Sequence, residues 1–173
     1  MSAFLLGLKM SELSTTDIKK TEIPKFTIEQ VLPHDHPMIL LDSLISFDDD
    51  SATCSHLITE QSLLFDTTLQ GVPSYVGIEY MAQSIAAYAN ANELINNRPV
   101  EIGFLVSTRK YKCDYAVFKL GMVLQITVKL LYKDESGLSA FDCAIFIDNK
   151  EIASARVNVF QPENPTEFLA EQL

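Results

Sequence analysis

The pattern of apolar and polar positions is most regular in residues 73–96. Its apolar positions recur at a helical rather than a strand spacing, and no other proline follows Pro73 within these residues. At about 1.5 Å of rise per residue, the segment predicts a helix roughly 36 Å long. Small residues such as Gly77 and Ala86 would let another backbone approach closely, so we expect a sheet wrapped around this helix. The apolar positions are Tyr75, Ile78, Met81, Ala82, Ile85 and Ala89.

One carboxylate, Glu79, lies among these apolar positions. Gln83 follows one helical turn later and shares the same face of the predicted helix. Glu79 is either a solvated residue at the border of the apolar face or a carboxylate placed in an apolar site for chemistry. Periodicity alone favours the solvated position.

The rest of the chain predicts one short helix and six strands. Thr27 and Gln30 form a capping-box pattern for a helix that must end at Pro33. The order of elements predicts an α+β fold, an antiparallel sheet wrapped around one long central helix. We expect this domain to cover residues 26–162, between an N-terminal tail (1–25) and a C-terminal tail (163–173). The predicted strands are residues 38–47, 52–59, 100–112, 120–133, 138–147 and 151–160.

Composition excludes several classes of function. The 173 residues, 47% of them hydrophobic, are enough for one domain with its own core. A net charge of −10 disfavours nucleic acid or an anionic membrane as the main partner. No apolar run reaches the length of a membrane span, and the first residues lack the basic start and cleavage site of a signal peptide.

The cysteines and glycines disfavour metal and nucleotide sites. Cys54, Cys113 and Cys143 lie far apart without ligand spacing. They are expected to be buried thiols in a reducing cytoplasm, so the predicted location is cytoplasmic. The sequence contains neither a phosphate-binding glycine loop nor a cluster of metal ligands, and we expect no metal or nucleotide cofactor.

Four short motifs carry a family resemblance. LPHDHPMILLD (residues 32–42) and GIEYMAQ (77–83) resemble the opening and central-helix motifs of bacterial β-hydroxyacyl-[acyl carrier protein] dehydratases. GFLVSTRKY (103–111) and NVFQP (158–162) are similar to the dehydratase-like branch found in aryl-polyene biosynthesis clusters. The resemblance spans roughly residues 26–162. It implies a hotdog fold, usually in dimers whose sheets join and whose active sites lie at the subunit interface.

The resemblance also implies a reaction. The family removes water from a β-hydroxyacyl thioester held on the phosphopantetheine of acyl carrier protein and gives a trans-2-enoyl product, with no other cofactor. The proton alpha to the thioester carbonyl needs a base, and the departing hydroxide needs an acid. Glu79 matches the family's helix glutamate, and His34 occupies the histidine position of the opening motif. The partner is expected to be acyl carrier protein, and the dimer either homomeric or formed with a related hotdog subunit.

The chain departs from the family at one catalytic position. The usual GHFP histidine ahead of the central helix is absent, because residues 63–75 contain no histidine. His34 is therefore either the replacement or a residue that fixes the turn. His36 is expected to be exposed, and His56, within a predicted strand, to be structural. Two other functions stay open: a thioesterase that uses Glu79, and a non-catalytic subunit that completes the site of an active relative.

Further residues are predicted to bind the substrate and its carrier. Gln83 is expected to be the hydrogen-bonding partner of Glu79. Arg109, Lys110 and Lys112 form a basic group that either docks an acidic carrier protein or is a solvated strand end. In a regular strand, the two lysines would share one face and Arg109 would point the other way. The predicted substrate-binding residues are Gln83, Gly77, Ile78, Met81 and Phe104.

Overall fold

The computed structural model describes residues 26–162 together with residues 164, 165, 168 and 170. The predicted N-terminal tail and most of the predicted C-terminal tail lie outside these residues. Within them, two α-helices and eight strands follow one another. The helices are α1 (Ile28–Val31) and α2 (Gly77–Ile95), and the strands are β1 (Ser43–Phe47), β2 (Ser51–Leu57), β3 (Gly71–Pro73), β4 (Phe104–Cys113), β5 (Val117–Lys119), β6 (Val123–Lys133), β7 (Leu138–Ile147) and β8 (Lys150–Phe160).

Six of the strands form one antiparallel sheet in the order β1-β2-β6-β7-β8-β4. The sheet packs along α2, whose side chains are buried on several sides. This confirms the predicted antiparallel sheet around one long helix. The two remaining strands, β3 and β5, pair with each other. The sequence pattern did not predict them, because three residues are too few to show a strand period.

The long helix begins later than its apolar pattern predicts. Pro73 ends β3, and Ser74–Val76 form a 3-10 turn before α2 begins at Gly77. Tyr75 lies in this turn and is 67% exposed, so its predicted place on the buried face is wrong. The predicted capping box of α1 is confirmed, since the side-chain Oε1 of Gln30 accepts a hydrogen bond of 2.9 Å from the Thr27 amide.

The core lies between α2 and the inner face of the sheet. Met81 and Tyr80 of the helix are almost fully buried with Ile126, Ile145 and Val157 of the strands. Burying each such aliphatic side chain stabilises the fold by roughly 1.5–3 kcal/mol. Gly77 is needed for the close approach, because a Cβ there would collide with the Tyr111 hydroxyl and the Ile145 side chain.

The cysteines also belong to the core. Cys54 and Cys143 are buried free thiols, and Cys113 is half-buried. Burial raises the pKa of both Cys54 and Cys143 to about 12, so neither forms a thiolate near neutral pH.

An irregularity in β4 determines how its basic side chains are arranged. The pairing of β4 with β8 shifts register between Arg109 and Lys112, and Lys110 has a φ of 56°. This bulge breaks the alternation of a regular strand. The prediction that Arg109 points away from the two lysines is therefore wrong: all three residues line one groove.

Candidate functional site

A cavity of about 240 Å³ lies between one face of α2, the loop before β1 and the ends of β4 and β8. The predicted catalytic residues Glu79 and His34 both line it, together with Gln83 and Phe104 from the predicted substrate-binding set. The fold thus brings together residues 34, 79 and 104, which lie far apart in the sequence. The other lining residues are Pro33, Ala82, Ile85, Ala86, Ala89, Asn90, Glu101, Gly103, Leu105, Val159 and Gln161.

Glu79 is half-buried in the first turn of α2. Its Oε1 accepts a hydrogen bond of 2.9 Å from Nε2 of Gln83, one turn later. Its Oε2 receives no hydrogen bond from the described residues, which leaves this oxygen available to a bound molecule. The arrangement favours a positioned carboxylate over the solvated position that periodicity alone indicated.

Gln83 joins the helix to the loop that carries His34. It is only 1% exposed, and its side-chain amide is fully used. Oε1 accepts from the Leu40 amide at 2.9 Å, while Nε2 donates to the Met38 carbonyl at 2.8 Å and to Glu79. Gln83 therefore fixes the carboxylate and the loop relative to one another, rather than capping core backbone alone.

His34 is half-buried at the cavity wall, three residues after α1 ends. Its Nδ1 is buried and has no hydrogen-bond partner among the described residues. A histidine that fixed the turn would use this nitrogen on the backbone. His34 therefore does not fix the turn through Nδ1, and it lines the same cavity as Glu79.

The remaining wall of the cavity is mainly apolar. Ala82, Ala86 and Ala89 follow each other along one face of α2 and leave space beside the helix. Phe104 and Leu105 of β4 form the opposite side. Such a wall suits a hydrocarbon chain, whereas Glu79 and His34 provide the polar groups.

Three predicted substrate-binding residues lie elsewhere. Gly77 and Met81 are buried in the core, and Ile78 is half-buried on α2. None of them lines the 240 Å³ cavity. Met81 and Ile78 share the apolar pattern of the helix with Ala82, but they lie on other sides of a helix that is surrounded by protein.

Three polar residues of the cavity were not predicted from the sequence. Asn90 donates to the Glu101 carbonyl at 3.2 Å and accepts from the Glu101 amide at 2.9 Å. Gln161 donates to the Glu101 carboxylate at 2.6 Å. Asn90 follows Gln83 by two helical turns, which is a signal that could have revealed it. Glu101 and Gln161 have no such signal, since only the fold brings them together.

The predicted carrier-docking residues lie on another surface. Arg109, Lys110 and Lys112 line a groove of about 640 Å³ on the sheet, with Lys129 from β6 and Arg156 from β8. Its acidic residues are Asp142, which bonds Arg156 at 3.0 Å, and Glu151. Basic side chains therefore outnumber acidic ones here, although the whole chain has a net charge of −10.

The other two histidines lie outside the cavity around Glu79. His36 is exposed, as predicted. His56 is buried and hydrogen-bonded within a different cavity. Among the described residues, no group of three or more His, Cys, Asp or Glu side chains could hold a metal ion. None of the described helices has the length and apolar content that a membrane span requires.

Comparisons with known proteins identify the family and the fold. A family model, ApeP-like, described as ApeP dehydratase, matches residues 26–170. No curated protein matches the chain. Among solved structures, a chain of the dehydratase heterocomplex ApeI:P from Xenorhabdus doucetiae superposes with a TM-score of 0.78 and 27% sequence identity. That match covers 85% of this chain and 97% of the other.

More distant solved structures share only the fold. The HP0420 homologue from Helicobacter felis has a TM-score of 0.59 at 10% identity, over 78% of this chain and 88% of its own. The PaaI protein of E. coli has a TM-score of 0.54 at 14% identity, over 69% of this chain and 78% of its own. The predicted hotdog fold is confirmed.

Proposed function

Because the chain belongs to the ApeP-like dehydratase family, we propose that it dehydrates β-hydroxyacyl thioesters on acyl carrier protein to trans-2-enoyl products, in fatty-acid or polyene-type biosynthesis. The observation that carries this proposal is the cavity of about 240 Å³ in which Glu79 and His34 meet an apolar wall. The reaction needs one acid, one base and space for an acyl chain. A carboxylate, a histidine and an apolar space occur together there, which supports the proposal.

Glu79 and His34 share the proton transfers in this proposal. One of them takes the proton alpha to the thioester carbonyl, and the other protonates the departing hydroxide, so that water leaves. Oε2 of Glu79 receives no hydrogen bond from the described residues, and His34 lines the same cavity. Gln83 is a positioning residue, since it holds the Glu79 carboxylate and the His34 loop through hydrogen bonds of 2.8–2.9 Å.

The carbonyl oxygen of the thioester gains negative charge when the alpha proton leaves, and a hydrogen-bond donor lowers that barrier. The backbone of Gly103 borders the cavity, and its amide donates to no described acceptor. We therefore assign this amide to the thioester oxygen. The acyl tail would lie against Ala82, Ala86 and Phe104.

A second subunit is part of the proposal. Strand β4 is one edge of the six-stranded sheet, and its Leu105 and Val106 are 47% and 56% exposed. An edge strand with exposed apolar side chains can pair with the edge of another sheet. Leu105 also lines the cavity, so a subunit paired with β4 would lie next to Glu79. The similar Xenorhabdus structure is a dehydratase heterocomplex, which supports association with a related hotdog subunit.

The carrier protein would dock on the basic groove. Arg109, Lys110 and Lys112 provide local positive charge that the acidic chain as a whole does not. Such a patch attracts an acidic protein and orients it, mainly through the rate of association. Lys129 and Arg156 enlarge the patch beyond the strand on which the sequence predicted it.

Incubation of the purified protein with a β-hydroxyacyl thioester tests the proposal, with enoyl product and free thiol followed together. The reaction is run with this chain alone and with a related hotdog subunit that carries the GHFP histidine. Enoyl product formed by this chain alone, or formed in the mixture beyond what the partner forms alone and lost on replacement of Glu79, supports dehydration by this chain. Free thiol without enoyl product, if it is lost in Glu79→Gln, would support the thioesterase that uses Glu79 instead. Enoyl product that forms only with the partner, and that survives loss of Glu79, would make this chain a non-catalytic subunit.

A further inference from the structure

A serine, a histidine and an aspartate form a row of hydrogen bonds at the cavity of about 410 Å³ that His56 lines. Nδ1 of His56 lies 3.2 Å from Oδ1 of Asp42, and Nε2 of His56 lies 3.2 Å from Oγ of Ser62. Asp42 directly precedes β1, His56 lies in β2, and Ser62 lies in the turn after β2. This is the order of contacts in which a histidine activates a serine nucleophile.

The hydrogen bonds determine where the protons are. An ionised carboxylate only accepts, so Nδ1 of His56 must carry the hydrogen that it shares with Asp42. Nε2 of the neutral ring is then a lone-pair acceptor, and the Ser62 hydroxyl donates to it. Ser62 Oγ in turn accepts from the Thr59 amide at 2.9 Å. His56 is thus placed to receive the hydroxyl proton of Ser62.

Neighbouring residues fix the orientation of the Asp42 and His56 side chains. Oδ2 of Asp42 accepts from the Leu57 amide at 2.6 Å, so both oxygens of the carboxylate are used. The His56 ring is 6% exposed and packs on the Tyr80 ring of α2 at a centroid distance of 5.1 Å. The imidazole therefore has one orientation, as a general base requires.

Ser62 can be reached from outside the protein. It is half-buried and lines a cavity of about 410 Å³ together with His56 and Asp42. Within the described part of the chain, the Leu63 amide, next to Ser62, has no hydrogen-bond acceptor and can donate to an oxyanion. The apolar residues of this cavity are Pro37, Ile39, Leu40, Leu57 and Leu63.

We propose that Ser62, His56 and Asp42 form a second catalytic site, which takes the acyl group of a short-chain ester or thioester. Ser62 Oγ attacks the carbonyl carbon while its proton passes to Nε2 of His56. The bond to the alcohol or thiol then breaks, and the leaving group takes the proton from His56. Water hydrolyses the acyl-serine by the same two proton transfers. Asp42 is a positioning residue that fixes the tautomer of His56.

An organofluorophosphonate probe tests this site, because an activated serine displaces fluoride and keeps the phosphonyl group. We expect the folded wild-type protein to gain the mass of one phosphonyl group, located on Ser62 by peptide mapping. Ser62→Ala should lose the label. Ser43→Ala is the matched control and should keep it, since the Ser43 hydroxyl bonds another serine, Ser55, at 2.7 Å instead of an imidazole.

Asp42→Asn distinguishes an activated serine from a merely structural network. It should slow labelling by roughly 10²-fold or more, because the same change in a Ser-His-Asp enzyme lowers kcat about 10⁴-fold. Urea-unfolded wild-type protein should not be labelled, and this comparison needs no variant to fold. An unlabelled Ser62 in the folded protein, or equal labelling in Asp42→Asn or in urea, would overturn the proposal. The assay does not follow dehydration, so its failure leaves the Glu79 reaction untouched.

Discussion

At the scale of single residues, Gln83 is the side chain on which the geometry of the candidate site depends most. Its amide reaches the Leu40 amide, the Met38 carbonyl and the Glu79 carboxylate at once. A hydrocarbon side chain of similar size would leave these groups without partners in a buried place. The cost of an unpaired buried polar group exceeds the net gain from a typical hydrogen bond.

We therefore expect Gln83→Leu to lower the free energy of unfolding by about 2–6 kcal/mol, at roughly 1–3 kcal/mol for each of the two backbone groups left unpaired, the Leu40 amide and the Met38 carbonyl. Urea unfolding followed by circular dichroism measures this. Gln125→Leu is the control: Gln125 is exposed on β6, and its replacement should change stability by no more than about 0.5 kcal/mol. Equal effects of the two changes would mean that Gln83 does not join the loop to the helix.

Asp42 provides a prediction on pH. Burial by itself would raise its pKa, but the hydrogen bonds from His56 and the Leu57 amide outweigh burial and lower the pKa below the usual 3.8. The folded state thus favours the ionised carboxylate. The stabilisation that the ionised Asp42 carboxylate gives the folded state is complete above the unfolded-state pKa. It is lost as the pH falls through the lowered folded-state pKa.

The difference in unfolding free energy between the wild-type protein and Asp42→Asn should accordingly be largest near neutral pH. It should shrink once the pH drops below about 4. Denaturant unfolding of both proteins at several pH values between about 7 and 3 gives this difference directly. A difference that stays constant over this range would show that the carboxylate charge of Asp42 does not stabilise the fold.

Only some residues of the candidate site were predictable one by one. Glu79 and Gln83 are one helical turn apart, a spacing that the sequence displays, and His34 lies in a recognisable motif. By contrast, the contact of Gln161 with Glu101 joins residues that are far apart in the chain. His56 was interpreted as structural because it is a lone histidine in a predicted strand, and its two partners, Asp42 and Ser62, meet it only in the folded protein.

At the scale of secondary-structure elements, regular periodicity was predictive and local breaks in it were not. Strand β7 begins and ends where the pattern predicted, at Leu138 and Ile147. Helix α2 was predicted four residues too early, because Pro73 and Tyr75 continue the apolar pattern while the backbone is still in β3 and a 3-10 turn. The bulge in β4 has no sequence signature, yet it places Arg109 with the lysines.

The basic groove on β4, β6 and β8 gives a prediction at this scale. Lys112→Glu with Lys129→Glu should weaken binding to an acidic acyl carrier protein by roughly tenfold or more, mainly through slower association. Turnover of a short free thioester should stay nearly unchanged, because neither lysine lines the cavity around Glu79. Calorimetric titration with the carrier protein and a thioester assay measure the two effects separately.

The matched control is Lys133→Glu with Lys150→Glu. These lysines do not line the groove, and their replacement changes the net charge by the same amount. If both double variants bind the carrier equally weakly, net charge rather than the groove governs binding. If both bind like the wild-type protein, the carrier docks elsewhere.

At the scale of the whole molecule, the position of the cavity connects fold and reaction. The sheet surrounds α2, but its edge strand β4 also forms one wall of the cavity. A second subunit on this edge would extend the sheet and lie next to the cavity that Glu79 and His34 line. The order of helices and strands was sufficient to predict the wrapped helix. A partner on this edge could be expected only through the family resemblance, because a single sequence does not show what covers an edge.

Replacement of Glu79 tests whether dehydration takes place in the cavity that this residue lines. The wild-type chain, Glu79→Gln and the control Glu93→Gln are each mixed with a related hotdog subunit and a β-hydroxyacyl carrier protein, and enoyl product is measured by mass spectrometry. Glu93 lies on the same helix but bonds Arg98 outside the cavity. Glu79→Gln should lower the rate by about 10²–10⁴-fold, and Glu93→Gln should not. A wild-type rate in Glu79→Gln would contradict the assignment of the reaction to this cavity.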